Sequence, residues 1–492
     1  MSINRREFLA MAGKTTAGLA LGGCLAAIGR QDGAAGGAGR KLNIVYILID
    51  DMGWTDLACY GSKYYETPNI DRLAGEGMRF TQAYAACTVC SPTRASIMTG
   101  KYPARLHLTD WIPGHKRADA KLKVPDWTQY LPLDEVTLAK ALKAAGYATA
   151  HVGKWHLGGP QYYPEHQGFD LNIGGTSAGQ PGAYFYPYKN SPKLPDGKEG
   201  EYLTDRLTDE ALKFIETNKD NPFFLYLPHY AVHQPIAGKK EMVEKYRNKP
   251  PQGGHGNAVY AAMIQSVDES VGRIVKKLED LRITDRTVIF FMSDNGGLAR
   301  VTSNAPLRAG KGSAYEGGVR EPFIVKWPGV VKPGGVCDVP VISVDHYPTI
   351  LEIAGVAGDA AHNKNVDGES LVPLLKQSGN LRREAVYWHY PHYHPGGATP
   401  YGAVREGDFK LVEFFEDMHV ELYNLKEDVG ETKDLAAAMP DKADALRKKL
   451  HAWRQTVAAQ MPTPNPSATS KATVAENPRK SNLDWTGFPE DP

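Results

Sequence analysis

The chain has 492 residues, 42% of them hydrophobic and 23% charged, and a formal net charge of +1. This balance is ordinary for a globular protein and excludes a bulk electrostatic pull toward nucleic acid or a membrane surface. The length exceeds what one hydrophobic core usually fills, so a large domain with a smaller companion is expected.

Arg5-Arg6-Glu7-Phe8-Leu9 is a twin-arginine pattern. The Ala/Gly-rich stretch from Thr15 to Ile28 is too short to span a membrane, which takes about 20 apolar residues. Residues 1–30 therefore read as an export signal for the twin-arginine machinery, and residues 31–40 as a linker. Leu21-Gly22-Gly23-Cys24 resembles a lipoprotein cleavage box, so the mature chain is expected in the periplasm or lipid-anchored to the cell envelope.

Next, Asn43–Ile49 is a continuous apolar run, the mark of a strand covered on both faces. Similar runs recur at Tyr147–Val152, Pro222–Leu227, Thr287–Met292 and Pro322–Lys326. Helical spacing separates them: Glu135–Ala145, with Asp134 as N-cap and Gly146 as C-cap, then Leu203–Thr217 and Val259–Leu281. This alternation predicts an α/β domain over residues 41–375, a large, mainly parallel sheet sandwiched by helices. After Leu375 the pattern changes. Short alternating runs at Ala385–His389, Gly402–Arg405, Lys410–Phe414 and Val420–Leu425 predict an antiparallel sheet. A helix over Lys442–Ala458, with Leu446, Leu450 and Trp453 on one face, completes a smaller C-terminal α+β subdomain at residues 376–460. Residues 461–492, rich in Pro, Ser, Asn and Lys, read as an extended tail.

Four of the predicted strands end in polar clusters: Asp50-Asp51, Gly153-Lys154-Trp155-His156, His229 with His233, and Ser293-Asp294-Asn295-Gly296. Alone, Asp50-Asp51 and Asp294-Asn295-Gly296 read as a turn or a cap, a lysine as solvated surface and a histidine as a structural residue. Ligands of parallel sheets bind beyond the carboxyl ends of the strands, so these clusters should converge on one edge. Asp50, Asp51, Asp294 and Asn295 are hard oxygen donors, suited to Ca2+ or Mg2+ rather than zinc. Arg94, Lys154 and Lys311 suit a tetrahedral anion or its ester. His156 and His233 are candidate proton donors to a leaving oxygen.

Of the five cysteines, Cys24 falls in the export segment, and Cys59, Cys87 and Cys337 are scattered without zinc spacing. Cys90 opens Cys90-Ser91-Pro92-Thr93-Arg94, which runs on to Gly100. Ser91 and Pro92 read as the N-cap and first residue of a short helix closed by Gly100, which sets residue 90 at a helix end that favours anions. Cys87 and Cys90 also form a CxxC. A thiol oxidoreductase with a Cys87–Cys90 disulfide and no metal is therefore an alternative.

Together these motifs resemble, from about Leu42 to Trp453, the type I, formylglycine-dependent sulfatases of the alkaline phosphatase superfamily, arylsulfatases and N-acetylgalactosamine sulfatases among them. His233-Gln234-Pro235, Lys311 with Gly317-Gly318-Val319-Arg320-Glu321-Pro322, and Glu421-Leu422-Tyr423-Asn424-Leu425 extend the match. Thr93 stands where Ser or Ala is commoner. The resemblance implies an alkaline phosphatase-like fold and a sulfuric ester hydrolase in which a maturase oxidises Cys90 to Cα-formylglycine (3-oxoalanine). It implies one Ca2+ per chain on Asp50, Asp51, Asp294, Asn295 and modified Cys90. Arg94 would orient residue 90, and Lys154, His156, His233 and Lys311 would hold sulfate or move protons. In the implied mechanism a hydroxyl of the hydrated aldehyde attacks sulfur, a histidine (His233 ahead of His156) protonates the leaving alcohol, and the second hydroxyl expels sulfate.

Export and the run Trp388, His389, His392, Tyr393 and His394 point to a sulfated carbohydrate as substrate. Expected contacts are Lys154, Lys311, His107, Asp110, Trp111, His389 and His392, although Trp388 and Tyr390 read equally well as strand core. The rival readings are a phosphodiesterase or phosphonate monoester hydrolase of the same superfamily, and an inactive sulfoglycan-binding protein.

Overall fold

The main sheet has nine strands in a computed structural model that describes residues 41–189, 193–194 and 197–468. The export signal, the linker and the tail beyond 468 lie outside the described residues. The strands are β1 (Asn43–Ile49), β2 (Met78–Tyr84), β3 (Ala148–Val152), β4 (Leu171–Ile173), β5 (Phe223–Pro228), β6 (Thr287–Ser293), β7 (Arg320–Lys326), β8 (Gly335–Cys337) and β9 (Val341–Ile342). They are ordered β9-β2-β7-β6-β1-β5-β3-β4, with β8 beside β2.

From β6 to β4 every neighbouring pair is parallel. β7 runs antiparallel to both β6 and β2. The chain leaves the carboxyl end of β6 and stays on that edge until Val319, with no crossover helix to carry it back, so β7 starts where β6 ended. The alternating β2, with half-buried Arg79, Thr81 and Gln82, lacks the apolar continuity that marks its neighbours and was not expected.

Both faces of the sheet are apolar, as the unbroken runs require. On one face Val45, Ile47 and Ile49 pack against α1 (Pro68–Glu76), α4 (Leu203–Thr217) and α5 (Ala258–Asp280). On the other, Ile44, Tyr46 and Leu48 pack against α2 (Cys90–Thr99), α3 (Leu138–Ala144) and α6 (His346–Ala354). Helix α3 starts later than expected: Thr137, not Asp134, is its N-cap, and its hydroxyl accepts from the Lys140 amide.

The second sheet is antiparallel, β10 (Ala385–Tyr390), β11 (Tyr401–Glu406), β12 (Phe409–Phe414) and β13 (Val420–Asn424) in that order. Helix α7 (Pro440–Thr456) covers it with Leu446, Leu450 and Trp453. It begins at Pro440, ahead of the expected Lys442, because proline is pre-set for the first turn. This third core also takes in Cys87 and Val89, so the small sheet is packed on the segment that leads into α2. Thr463–Pro464 pairs with Leu122–Lys123, giving the start of the expected tail a fixed place.

A buried charge cluster joins the two sheets. Lys410 on β12 reaches Glu316 at 2.9 Å and Glu431 at 3.1 Å, all three fully buried. Burial alone would raise Glu316, but Lys410, Arg320 and Arg405 outweigh it and hold the carboxyl down to about 2. Lys410→Met should therefore cost about 3–5 kcal/mol, by stranding buried carboxylates. Urea denaturation checks this, and adding Glu316→Gln should recover part of the loss.

Candidate active site

Ile49 lies opposite Ser293, so Asp50 and Asp294 emerge level with each other from β1 and β6. The amide of His229 donates to Leu48 and that of Val232 to Asp50, lacing the end of β5 to the same edge. After β3 the chain turns at Gly153, where φ is +129° and a Cβ would stand 2.0 Å from the Pro228 carbonyl oxygen. Only glycine allows that approach, which brings Lys154 and His156 in. Two non-glycine residues, Asp51 (φ 62°) and His156 (φ 59°), hold left-handed backbone here. Each costs about 1–3 kcal/mol, strain that clusters at functional sites.

The four strand ends do converge. Asp294 accepts from Arg94 Nε at 2.9 Å and lies 2.8 Å from its Nη2, while Arg94 Nη1 donates to the Lys154 carbonyl at 2.9 Å. Lys154 Nζ lies 2.6 Å from Asp50 Oδ2, and Lys311 Nζ 2.6 Å from Asp51 Oδ1. Asn295 Nδ2 donates to the same Asp51 oxygen at 2.8 Å. Asp50, Asp51, Asp294, Asn295, Lys154 and Arg94 are all buried.

Three oxygens are left over. Asp50 Oδ1, Asp51 Oδ2 and Asn295 Oδ1 are buried without a hydrogen-bond partner. Leaving such groups unpaired is costly. Ligand atoms of Asp50, Cys90 and Asp294 lie within 4.8 Å of one another, as do those of Asp50, Asp51 and His233. Without a cation, burial and the nearby Asp294 push Asp50 well above the usual carboxylate range. Orphaned hard oxygens around one point fit a divalent cation of the Ca2+ or Mg2+ kind.

Cys90 is the first residue of α2, and the N-cap is Val89 rather than the expected Ser91. The Ser91 hydroxyl is used elsewhere: it donates to the His156 carbonyl at 2.9 Å and accepts from the Ile112 amide at 3.2 Å. Residue 90 still sits at the positive end of the helix. Thr93 donates to the Cys87 carbonyl at 3.0 Å, closing the turn before the cysteine. Cys87 and Cys90 are both free thiols.

His156 Nδ1 lies 3.3 Å from Cys90 Sγ, and its Nε2 lies 2.6 Å from the Ile112 carbonyl oxygen. A carbonyl only accepts, so Nε2 carries the proton and Nδ1 offers its lone pair to residue 90. Burial, then Lys154, keeps this imidazole from charging. His156 is therefore placed to accept a hydrogen bond from residue 90, not to give a proton to a leaving group as expected. His233 donates through Nδ1 to the Gln234 carbonyl at 2.7 Å and turns Nε2 toward Asp51, 3.6 Å away. Burial, then Lys311, lowers it to about 3. His229 is buried against Ser270.

Several expected sugar contacts lie inside the fold. His389 donates to the Gln460 carbonyl at 2.8 Å, and His392 shares a 2.8 Å hydrogen bond with Thr109; both are buried. His107 donates to the Ala458 carbonyl at 3.0 Å. Trp388 donates to Ala85, and Tyr390 to Asp110. Apart from the exposed His107–Ala458 contact, these groups satisfy neighbours that burial would otherwise leave unpaired. Trp111 stays half-buried, next to the Ile112 that fixes His156. The Ser91 hydroxyl that anchors the His156 backbone and the Ile112 carbonyl that sets its tautomer carried no sequence signal for these roles.

A family model described as Sulfatase matches residues 42–356, and one for the N-sulphoglucosamine sulphohydrolase C-terminal region matches residues 310–459. A protein named "Sulfatase" from Formosa agariphila is 35% identical, over 85% of this chain and 89% of that protein. Human N-acetylgalactosamine-6-sulfatase is 35% identical, over 72% of this chain and 69% of its own length. The solved structure of Ps i-CgsB in complex with k-i-k-neocarrahexaose is 30% identical, with a TM-score of 0.72, covering 88% of this chain and 96% of that one.

Proposed function

The chain belongs to the sulfatase family and is a sulfuric ester hydrolase, and on that premise we propose that it removes O-sulfate from a sulfated carbohydrate, using residue 90 as Cα-formylglycine and one Ca2+. One observation carries this reading: Cys90, at a helix N-terminus, faces a histidine lone pair on one side and carboxylate and amide groups with three orphaned oxygens on the other. The names of the N-acetylgalactosamine-6-sulfatase relative and of the carbohydrate complex support a sugar substrate.

Asp50, Asp51, Asp294 and Asn295 would hold the cation, which when bound polarises the sulfuryl oxygens and gathers an oxyanion against residue 90. The modified residue 90 supplies two hydroxyls on one carbon, one to attack sulfur and one to release sulfate afterwards. His156, neutral and pointing Nδ1 at residue 90, accepts a hydrogen bond there and so orients the attacking hydroxyl. Lys154 and Lys311 bring positive charge to the sulfate oxygens, in a site where burial strengthens every charge contact. Arg94 holds Asp294 and the Lys154 carbonyl in fixed geometry. His233, whose Nε2 turns toward Asp51, is the candidate to protonate the departing alcohol; because Nδ1–H is spent on the Gln234 carbonyl, it does so only from its charged form, which the Asp51 carboxylate favours. The twin-arginine pattern supports export to the cell envelope.

Matured protein should hydrolyse an aryl sulfate far faster than the matching aryl phosphodiester, measured side by side. The reverse preference would favour the phosphodiesterase alternative. Turnover of neither, with an intact thiol at position 90 by peptide mass spectrometry after expression with a maturase, would favour a binding protein.

A further inference from the structure

We propose that His394, delivered by the C-terminal sheet to the rim beside Lys311, is a specificity-determining residue whose Nε2–H donates to an uncharged oxygen of the sugar that bears the scissile sulfate. The inference rests on the carbohydrate reading above and deepens it.

After β10 the chain makes a tight turn in which the His394 amide donates to Ala398 and the Gly397 amide to His394. The imidazole packs flat against Gly312: a Cβ there would come within 2.1 Å of Nδ1, and φ at Gly312 is +85°. Gly312 in turn donates its amide to the Thr88 carbonyl at 3.0 Å, two residues before Cys90. His394 is thereby fixed between the residue after Lys311 and the segment that leads into the nucleophile.

The tautomer is also fixed. Nδ1 accepts from the Gly396 amide at 3.0 Å, so Nε2 bears the proton in the neutral ring. Nε2 has no hydrogen-bond partner among the described residues, and the ring is half-buried. Trp388, His389, His392 and Tyr393, the other aromatic groups of this run, all spend a polar atom inside the fold. Burial and the adjacent Lys311 lower His394 to about 4, with His115 facing it from the loop after Trp111. A neutral donor suits a hydroxyl or ring oxygen rather than a second anionic group. Lys154 and Lys311 already serve the sulfate, so His394 reads what the sulfate is attached to.

The test compares His394→Ala and His394→Gln with wild type on para-nitrophenyl sulfate and on a sulfated saccharide that wild type cleaves, chosen from N-acetylgalactosamine 6-sulfate, galactose 6-sulfate and carrageenan oligosaccharides. Saccharide kcat/KM should fall about 10- to 100-fold in His394→Ala, while aryl sulfate stays within about twofold. His394→Gln, which keeps a donor, should recover most of the loss. A parallel fall on both substrates would make His394 a prop for Lys311, and no change on either would remove it from recognition; each overturns the proposal. Wild type that cleaves the aryl sulfate but no sugar sulfate would instead reject the carbohydrate reading, and His394's role with it.

Discussion

Cys90→Ser should end multiple turnover, with a loss in kcat of about a millionfold, while the thermal midpoint stays near that of wild type. A serine hydroxyl meets the same surroundings as the native side chain: the first turn of α2, and the His156 lone pair 3.3 Å from the atom it replaces. The first transfer of the sulfuryl group to the side chain is therefore retained. The resulting ester has no second hydroxyl on the same carbon to push sulfate out, and residue 90 is buried, so water reaches it poorly. Intact-protein mass spectrometry after incubation with substrate should find the variant heavier by one sulfuryl group, in stoichiometric yield. Cys90→Ala should bind substrate and gain nothing. An unmodified thiol at position 90 in a fully active preparation, or wild-type turnover by Cys90→Ser, would remove the formylglycine mechanism.

The strand ends were legible because each is announced by the end of an apolar run. Asp50, Lys154, His233 and Asp294 needed no contact information to be assigned to one edge, since parallel connectivity alone brings them there. What sequence could not reveal is where the protons sit. The role of His156 turns on a carbonyl, that of Ile112, and backbone acceptors carry no residue-type signal. Ser91 reads as a cap by composition, yet its hydroxyl is captured by the His156 loop, a tertiary contact that overrides local preference. His389 and His392 misled for a related reason. An imidazole beside tryptophan and tyrosine has the same composition in a sugar platform as in a packed interior, and only tertiary contacts, the β10–β11 ladder for His389 and Thr109 for His392, separate the two. His394 lies further along, in the tight turn closed by the Ala398 carbonyl, and is only half-buried there. Asp51 and His156 mark the same boundary in the backbone: their positive φ values are held by tertiary contacts that no propensity encodes.

Removal of divalent cation should destabilise wild type and leave Asp51→Ala unmoved. Within the site, the carboxylates of Asp50, Asp51 and Asp294 are matched by Arg94, Lys154 and Lys311. With all three carboxylates ionised, as a bound cation would hold them, the side chains alone are close to electrical balance. A bound Ca2+ would then give the pocket excess positive charge, and that excess is what a sulfate monoester anion would meet. Chelation should accordingly raise KM as well as lower kcat, a split that loss of the nucleophile does not produce. At a thousandfold excess over its dissociation constant, the ion contributes about 4 kcal/mol to the folded state. Differential scanning calorimetry of wild type should thus show a higher midpoint with Ca2+ than with chelator. Asp51→Ala removes an oxygen that has no hydrogen-bond partner and also the acceptor of Lys311 and Asn295. Its midpoint should be low and the same with or without Ca2+, and its turnover should fall by at least about a thousandfold. A variant that Ca2+ still stabilises as strongly as wild type would mean that the cation binds elsewhere, and that the three orphaned oxygens belong to a pocket closed by Lys154 and Lys311 alone.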